Sequence, residues 1–172
     1  MTNHAPTFTS SSATGSFTET ANTTGSSTLH SLSGTMNFKD TDTTDTHTTS
    51  ATLHSAVASG GTIIPAASLA HFNAAMTSTI LSDHSGTGQL KWLFNDADSD
   101  FDFLAKNQTL VLTYDIKVSD NHGGTAIQTV KVTITAENDA GRPQLLADPP
   151  CGAKLARLAA TGKALPPTSC VL

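Results

Sequence analysis

Residues 88–140 read GQLKWLFNDADSDFDFLAKNQTLVLTYDIKVSDNHGGTAIQTVKVTITAENDA, and the alternation inside this stretch decides the fold. Leu90, Trp92 and Phe94 fall on one face of a first strand, with Lys91 and Asn95 on the other. Over 109–119, Leu110, Leu112, Tyr114, Ile116 and Val118 alternate with Val111, Thr113, Asp115, Lys117 and Ser119. Val130, Val132 and Ile134 share one phase of a last strand, whereas Ile127 is in the other, which predicts a bulge near Gln128–Thr129. Asp120-Asn121-His122-Gly123-Gly124 has turn composition. Period-two alternation of this kind marks strands with one buried face.

Working outward, further strand-like segments stand at roughly 15–20, 28–38 and 46–57, with Met36 and Phe38, then Ala51, Leu53 and Val57, each set expected on one face. The segment 64–81 departs from this pattern. Pro65 suits a first helical position, and Leu69, Phe72, Met76 and Ile80 recur at helical spacing, which predicts a helix of about four turns laid over the sheets. Phe101, Phe103 and Leu104 are expected to plug one end of the core. The aspartates among them (Asp96, Asp98, Asp100 and Asp102) are expected to face outward from a surface loop. The expected fold is an all-β antiparallel sandwich of the immunoglobulin or cadherin-like kind, with one inserted helix. Residues 1–14 read as an extended lead-in and 15–140 as the sandwich. Residues 141–172, rich in proline, alanine and leucine, read as an unstructured or artificial tail.

Composition narrows the function. The chain has 172 residues, enough for one domain with a real core. A net charge of −5 argues against nucleic acid, whose recognition needs clustered Lys and Arg. The two cysteines, Cys151 and Cys170, lie in the C-terminal segment and form no CxxC motif. No stretch is long and apolar enough to span a bilayer, and MTNHAPTFTSSS lacks the apolar region of a signal peptide. Signatures of hydrolases, zinc proteases and phosphate-binding loops are absent, so the chain is read as a non-enzyme. Its seven histidines are scattered, and His47 and His54 read as surface or packing residues. Trp92 and Tyr114 read as core, not as a sugar-stacking platform.

Four stretches together resemble the VCBS repeat, a cadherin-like domain of large bacterial surface adhesins of the RTX type. They are SGTMNFKDTDTTDTH at 33–47, GQLKWLF at 88–94, DFDFLAKNQTLVLTYDIKVSDNHGG at 100–124 and TVKVTITAENDA at 129–140. NHAPTF at 3–8 looks like the start of such a unit. The closing ENDAG departs from the family's usual proline after the alanine, and nothing in 141–172 resembles a following repeat. The resemblance implies a secreted, cell-surface, structural or adhesive repeat whose partners are neighbouring repeats. The isolated unit would be monomeric. The alternative is a module that binds a glycan or a protein.

The resemblance also implies calcium at the junctions between repeats, with Asp40, Asp42, Glu19, Asp120, Asn138 and Asp139 as candidate ligands. Calcium takes six to eight oxygen ligands, so several carboxylates must converge from flexible loops. At the end of an extended strand, the two-residue spacing of Asp40 and Asp42 would put both carboxylates on one face. The competing reading is that all of these are solvated turn residues. Asp96, Asp98 and Asp100 match the first three ligand positions of an EF-hand, but Phe101 and Asn107 stand where Gly and Glu are required, so that motif is rejected.

Overall fold

A computed structural model describes residues 2–137. Its strands are β1 (Thr7–Phe8), β2 (Ala13–Thr18), β3 (Leu29–Lys39), β4 (Thr48–Ala58), β5 (Met76–His84), β6 (Thr87–Ala97), β7 (Thr109–Ser119) and β8 (Thr125–Thr135). One helix, α1 (Ala66–Ala75), joins β4 to β5, and short 3-10 turns occupy Ser59–Gly61 and Asp98–Asp100. The strands form two four-stranded sheets, ordered β1-β3-β6-β5 and β2-β8-β7-β4. All pairings are antiparallel except β2 with β8. This is the immunoglobulin-type arrangement. The strands of the first sheet, β1, β3, β6 and β5, correspond to A, B, E and D, and β4, β7 and β8 of the second to C, F and G, with β2 as an extra parallel edge. The fold is therefore the expected all-β sandwich with one inserted helix.

The core follows the alternation. Met36, Phe38, Leu90, Trp92 and Phe94 from one sheet meet Leu110, Leu112, Tyr114, Ile116, Val130 and Val132 from the other, and all are buried. Two cross-strand pairs on β3 and β6 match a ring with a glycine: Gly34 faces Trp92, and Gly88 faces Phe38. A Cβ on Gly34 would sit 2.6 Å from the indole ring, and one on Gly88 would collide with the Phe38 ring. Both rings fold flat over their partner strand because glycine leaves that space open.

Three expectations need correction. First, the helix ends at Ala75, and Met76 and Ile80 belong to β5, which pairs with β6. The β-branched Thr77, Thr79 and Ile80 favour strand, and the open edge of β6 supplies partners for their backbone groups. Second, β8 pairs with β7 in unbroken register from Thr125 to Thr135, so no bulge exists there, and Ile127 is simply exposed. The register shifts fall instead between Leu53 and Ser55 and between Ile80 and Ser82. Third, the sandwich begins before residue 15, because Thr7, Phe8, Ala13 and Thr14 are already in strands. The segment 141–172 lies outside the described residues.

The strands of eleven residues, at about 3.3 Å per residue, separate two poles by roughly 35 Å. The chain enters β1 at one pole, where Lys39 and Thr7 pair, and leaves β8 at the other, where Thr18 and Thr135 pair. The first is the N-terminal pole and the second the C-terminal pole.

Candidate functional site

The predicted ligands do not form one group. Asp40, Asp42 and Asp120 lie at the N-terminal pole, just beyond β3 and β7, and Glu19 lies at the C-terminal pole, just beyond β2. Asn138 and Asp139 fall outside the described residues. Glu19 is buried there, and its Oε2 accepts the backbone N–H of Glu137 at 3.2 Å.

At the N-terminal pole the chain turns immediately after β3. The N–H of Asp42 donates to Asp40 Oδ1 at 2.9 Å, and the N–H of Asp45 donates to the carbonyl of Asp42 at 3.0 Å. The backbone is therefore not extended at Asp40–Asp42, so two-residue spacing no longer keeps their carboxylates together. The turn carries Asp42 outward, where His4 N–H donates to Oδ2 at 2.6 Å. That bond, together with the His4 ring, holds the Asp42 carboxyl below the usual carboxylate range. Asp45 takes the inner place instead. Asp40, Asp45 and Asp120 each offer a carboxylate oxygen, and these oxygens lie within 4.8 Å of one another.

The surroundings of the three differ. Asp120 is fully buried; burial alone would raise its pKa, but donation from Asn3, His122 N–H and Gly124 N–H outweighs this and lowers it. Asp40 Oδ2 lies 3.1 Å from His47 Nε2, and His47 Nδ1 lies 2.9 Å from Asp83 Oδ1. His47 is thus a buried link between two aspartates, not a surface residue. Burial disfavours its charge, yet the two carboxylates prevail and raise its pKa. Asp45 Oδ2 is shielded from solvent and accepts no hydrogen bond, although His122 Nδ1 lies 3.2 Å away. An open depression of about 570 Å³ lies alongside, lined by Asn3, Asp42, Asp45 and His122 among others.

The C-terminal pole overturns the expected outward loop. Phe101 is fully buried as predicted, but Asp96, Asp98 and Asp100 are buried with it. Asp98 is a hub: it accepts from Thr20 N–H at 2.9 Å and Thr23 Oγ1 at 2.7 Å, and its Oδ1 lies 2.6 Å from His30 Nε2. Burial opposes its ionisation, but these partners win and keep its pKa low. Asp96 has the opposite balance. Burial and then the neighbouring Asp100 push it up to about 7, against the Ala97 N–H donor and the nearby His71 ring.

An unfolded aspartate ionises near pH 4, so between about pH 4 and pH 7 the unfolded chain releases a proton that folded Asp96 keeps. Stability from this group is complete below pH 4 and is lost as pH rises through about 7. In chelator-treated buffer, Asp96→Asn is expected to gain on the wild type by more than about 1.4 kcal/mol between pH 4.5 and pH 8, one pKa unit's worth. Urea melts at the two pH values check this, and parallel pH profiles would refute it.

The sequence does not single out Asp45, His47 and Asp83 at one pole; at the other it marks the aspartates of 96–102 as a second acidic cluster that could hold a metal, but predicts that they face outward. For Asp45 and His47 the run DTDTTDTH at 40–47 holds a signal, a third acid and a histidine behind the first pair.

No family model and no curated protein matches this chain. Among solved structures it is similar to the ASH / PapD-like domain of human CEP192 (PapD-like domain 7). The identity is 13% and the TM-score 0.34, over 73% of this chain and 82% of that one.

Proposed function

We propose that this domain is a non-catalytic structural repeat of a secreted bacterial surface protein, of the VCBS and cadherin-like kind, joined end to end with its neighbours and stiffened by calcium at its N-terminal pole. The observation that carries this reading is the cluster of Asp40, Asp45 and Asp120, in which a solvent-shielded carboxylate oxygen of Asp45 accepts no hydrogen bond and has the His122 ring nitrogen 3.2 Å away. Three carboxylates this close repel one another and gain from a bridging dication. Backbone carbonyls of the 40–45 turn and water would complete an all-oxygen shell.

The path of the chain supports the tandem part. Entry and exit at opposite poles suit a string of units, because each N-terminal pole would then meet the preceding unit's C-terminal end. In such a string Glu19, at the C-terminal pole, would face the next repeat's Asp40 and Asp120. The described residues contain no helix long and apolar enough to cross a membrane. Trp92 and Tyr114 are buried, which favours the spacer over a sugar-stacking module.

Millimolar calcium is expected to raise the thermal midpoint of the wild type by roughly 5 °C. A ligand at ten times its Kd contributes about 1.4 kcal/mol, and each kcal/mol is worth about 3–6 °C in a domain of this size. Asp45→Asn is expected to lose that shift with little change in its calcium-free midpoint. No shift in the wild type, or an undiminished one in Asp45→Asn, would remove calcium from the proposal.

A further inference from the structure

We propose that His71, Asp96 and Asp100, at the C-terminal pole, bind a transition-metal dication of the zinc class. The three come from different elements: His71 from the middle of α1, Asp96 from the end of β6, and Asp100 from the 3-10 turn that follows. Each offers one ligand atom, and the three atoms lie within 4.8 Å of one another. His71 Nδ1 and Asp100 Oδ2 are already 2.8 Å apart. Ligands about 2.0–2.1 Å from a tetrahedral zinc ion stand roughly 3.3 Å from each other, so small side-chain rotations suffice.

The second observation concerns Asp96. Only 7% of this residue is exposed, and its Oδ2 is shielded from solvent and accepts no hydrogen bond from an N–H or hydroxyl donor, the carboxyl of Asp100 lying close by. A buried carboxylate oxygen in that state is costly unless something positive reaches it. Asp96 also lines, with His71, Ala70, Ala74, Ala75 and Asn95, a shallow depression of about 280 Å³. The opening gives an ion a route in and leaves room for water as a fourth ligand, the pattern of an open zinc site.

Ligand type selects the ion. Calcium and magnesium favour shells of oxygen, whereas an imidazole nitrogen suits zinc and its transition-metal neighbours. Two carboxylates and a neutral imidazole balance the charge of one dication. The frame is rigid, because residues beside two of the ligands are locked. Phe72 and Phe101 are fully buried and stack with ring centres 5.7 Å apart, and Tyr114 Oη donates to the Phe72 carbonyl at 2.8 Å. Neither ligand needs a large ordering step before binding.

The test is a calorimetric titration of the full chain with zinc chloride, repeated with cobalt to read the visible spectrum of the bound ion. A background of Asp45→Asn with His122→Ala removes two ligands from the opposite pole, and Cys151→Ser with Cys170→Ser removes the chain's thiols, which also favour zinc. One site of micromolar affinity is expected in that background. Affinity should fall more than tenfold on adding His71→Ala or Asp96→Asn, and excess calcium should not displace the metal. His71 is exposed, so its alanine variant should keep the wild-type circular dichroism, and Asn matches Asp96 in shape. Zinc binding weaker than about 100 μM, or binding unchanged by His71→Ala, overturns the site. Neither result bears on calcium at Asp45.

Discussion

Replacing Asp98 by alanine is expected to destabilise the domain by about 3–5 kcal/mol, the usual cost of removing one partner from a buried charged network. Asp98 is fully buried, and it holds three separate pieces of chain: the 20–23 turn through Thr20 and Thr23, β3 through His30, and its own 3-10 turn. Alanine leaves the Thr20 N–H without its acceptor and leaves His30 without its carboxylate. His30 also stacks on Phe17 with ring centres 4.4 Å apart, so loosening it disturbs the aromatic plug formed with Phe101. Asp98→Asn keeps the shape and should cost less. The folded pKa of Asp98 lies below its unfolded value, so its contribution is present above about pH 4 and is lost as pH falls through the folded value. Asn at this position should therefore flatten the acid limb of the stability curve. Urea melts measure both effects, and a loss below about 1 kcal/mol for the alanine variant would refute the hub role.

Gly88→Ala is expected to cost about 3 kcal/mol, large for adding one methyl group to a strand. The added carbon would enter the space of the Phe38 ring, which lies across Gly88 from the paired strand. Phe38 is 2% exposed and packs against His47 with ring centres 4.9 Å apart, so it cannot move without disturbing the N-terminal pole. A smaller residue at position 38 should absorb the methyl group. Phe38→Leu combined with Gly88→Ala is therefore expected to be more stable than the sum of the two single losses allows. An additive double-mutant cycle would show that the clash is not with Phe38. Chemical denaturation of the four proteins is the measurement.

The strands and the inward face of each were legible because alternation is a local property. Residues 109–119 form β7 with the boundaries and inner face that their pattern predicts. Where local pattern and pairing competed, pairing won. Met76 and Ile80 continue a helical stripe on paper, yet the free edge of β6 makes them strand. Ile127 sits out of phase because it is exposed, not because the ladder bulges. The aspartates of 96–102 read as a polar loop, but sequence does not reveal that Thr20, Thr23 and His30 arrive from elsewhere to receive Asp98.

By itself, then, the sequence determined the class of fold, the core rings and the carboxylate-rich segments, since each follows from residue type and short-range period. Only the tertiary structure decided which carboxylates meet. It parted Glu19 from Asp40 and Asp120 by the length of the sandwich, replaced Asp42 with Asp45, and brought His71 to Asp96 and Asp100. The physical reason is that convergence at a pole depends on strand order, turn geometry and the packing of one helix. These are long-range properties, and no spacing along the chain encodes them.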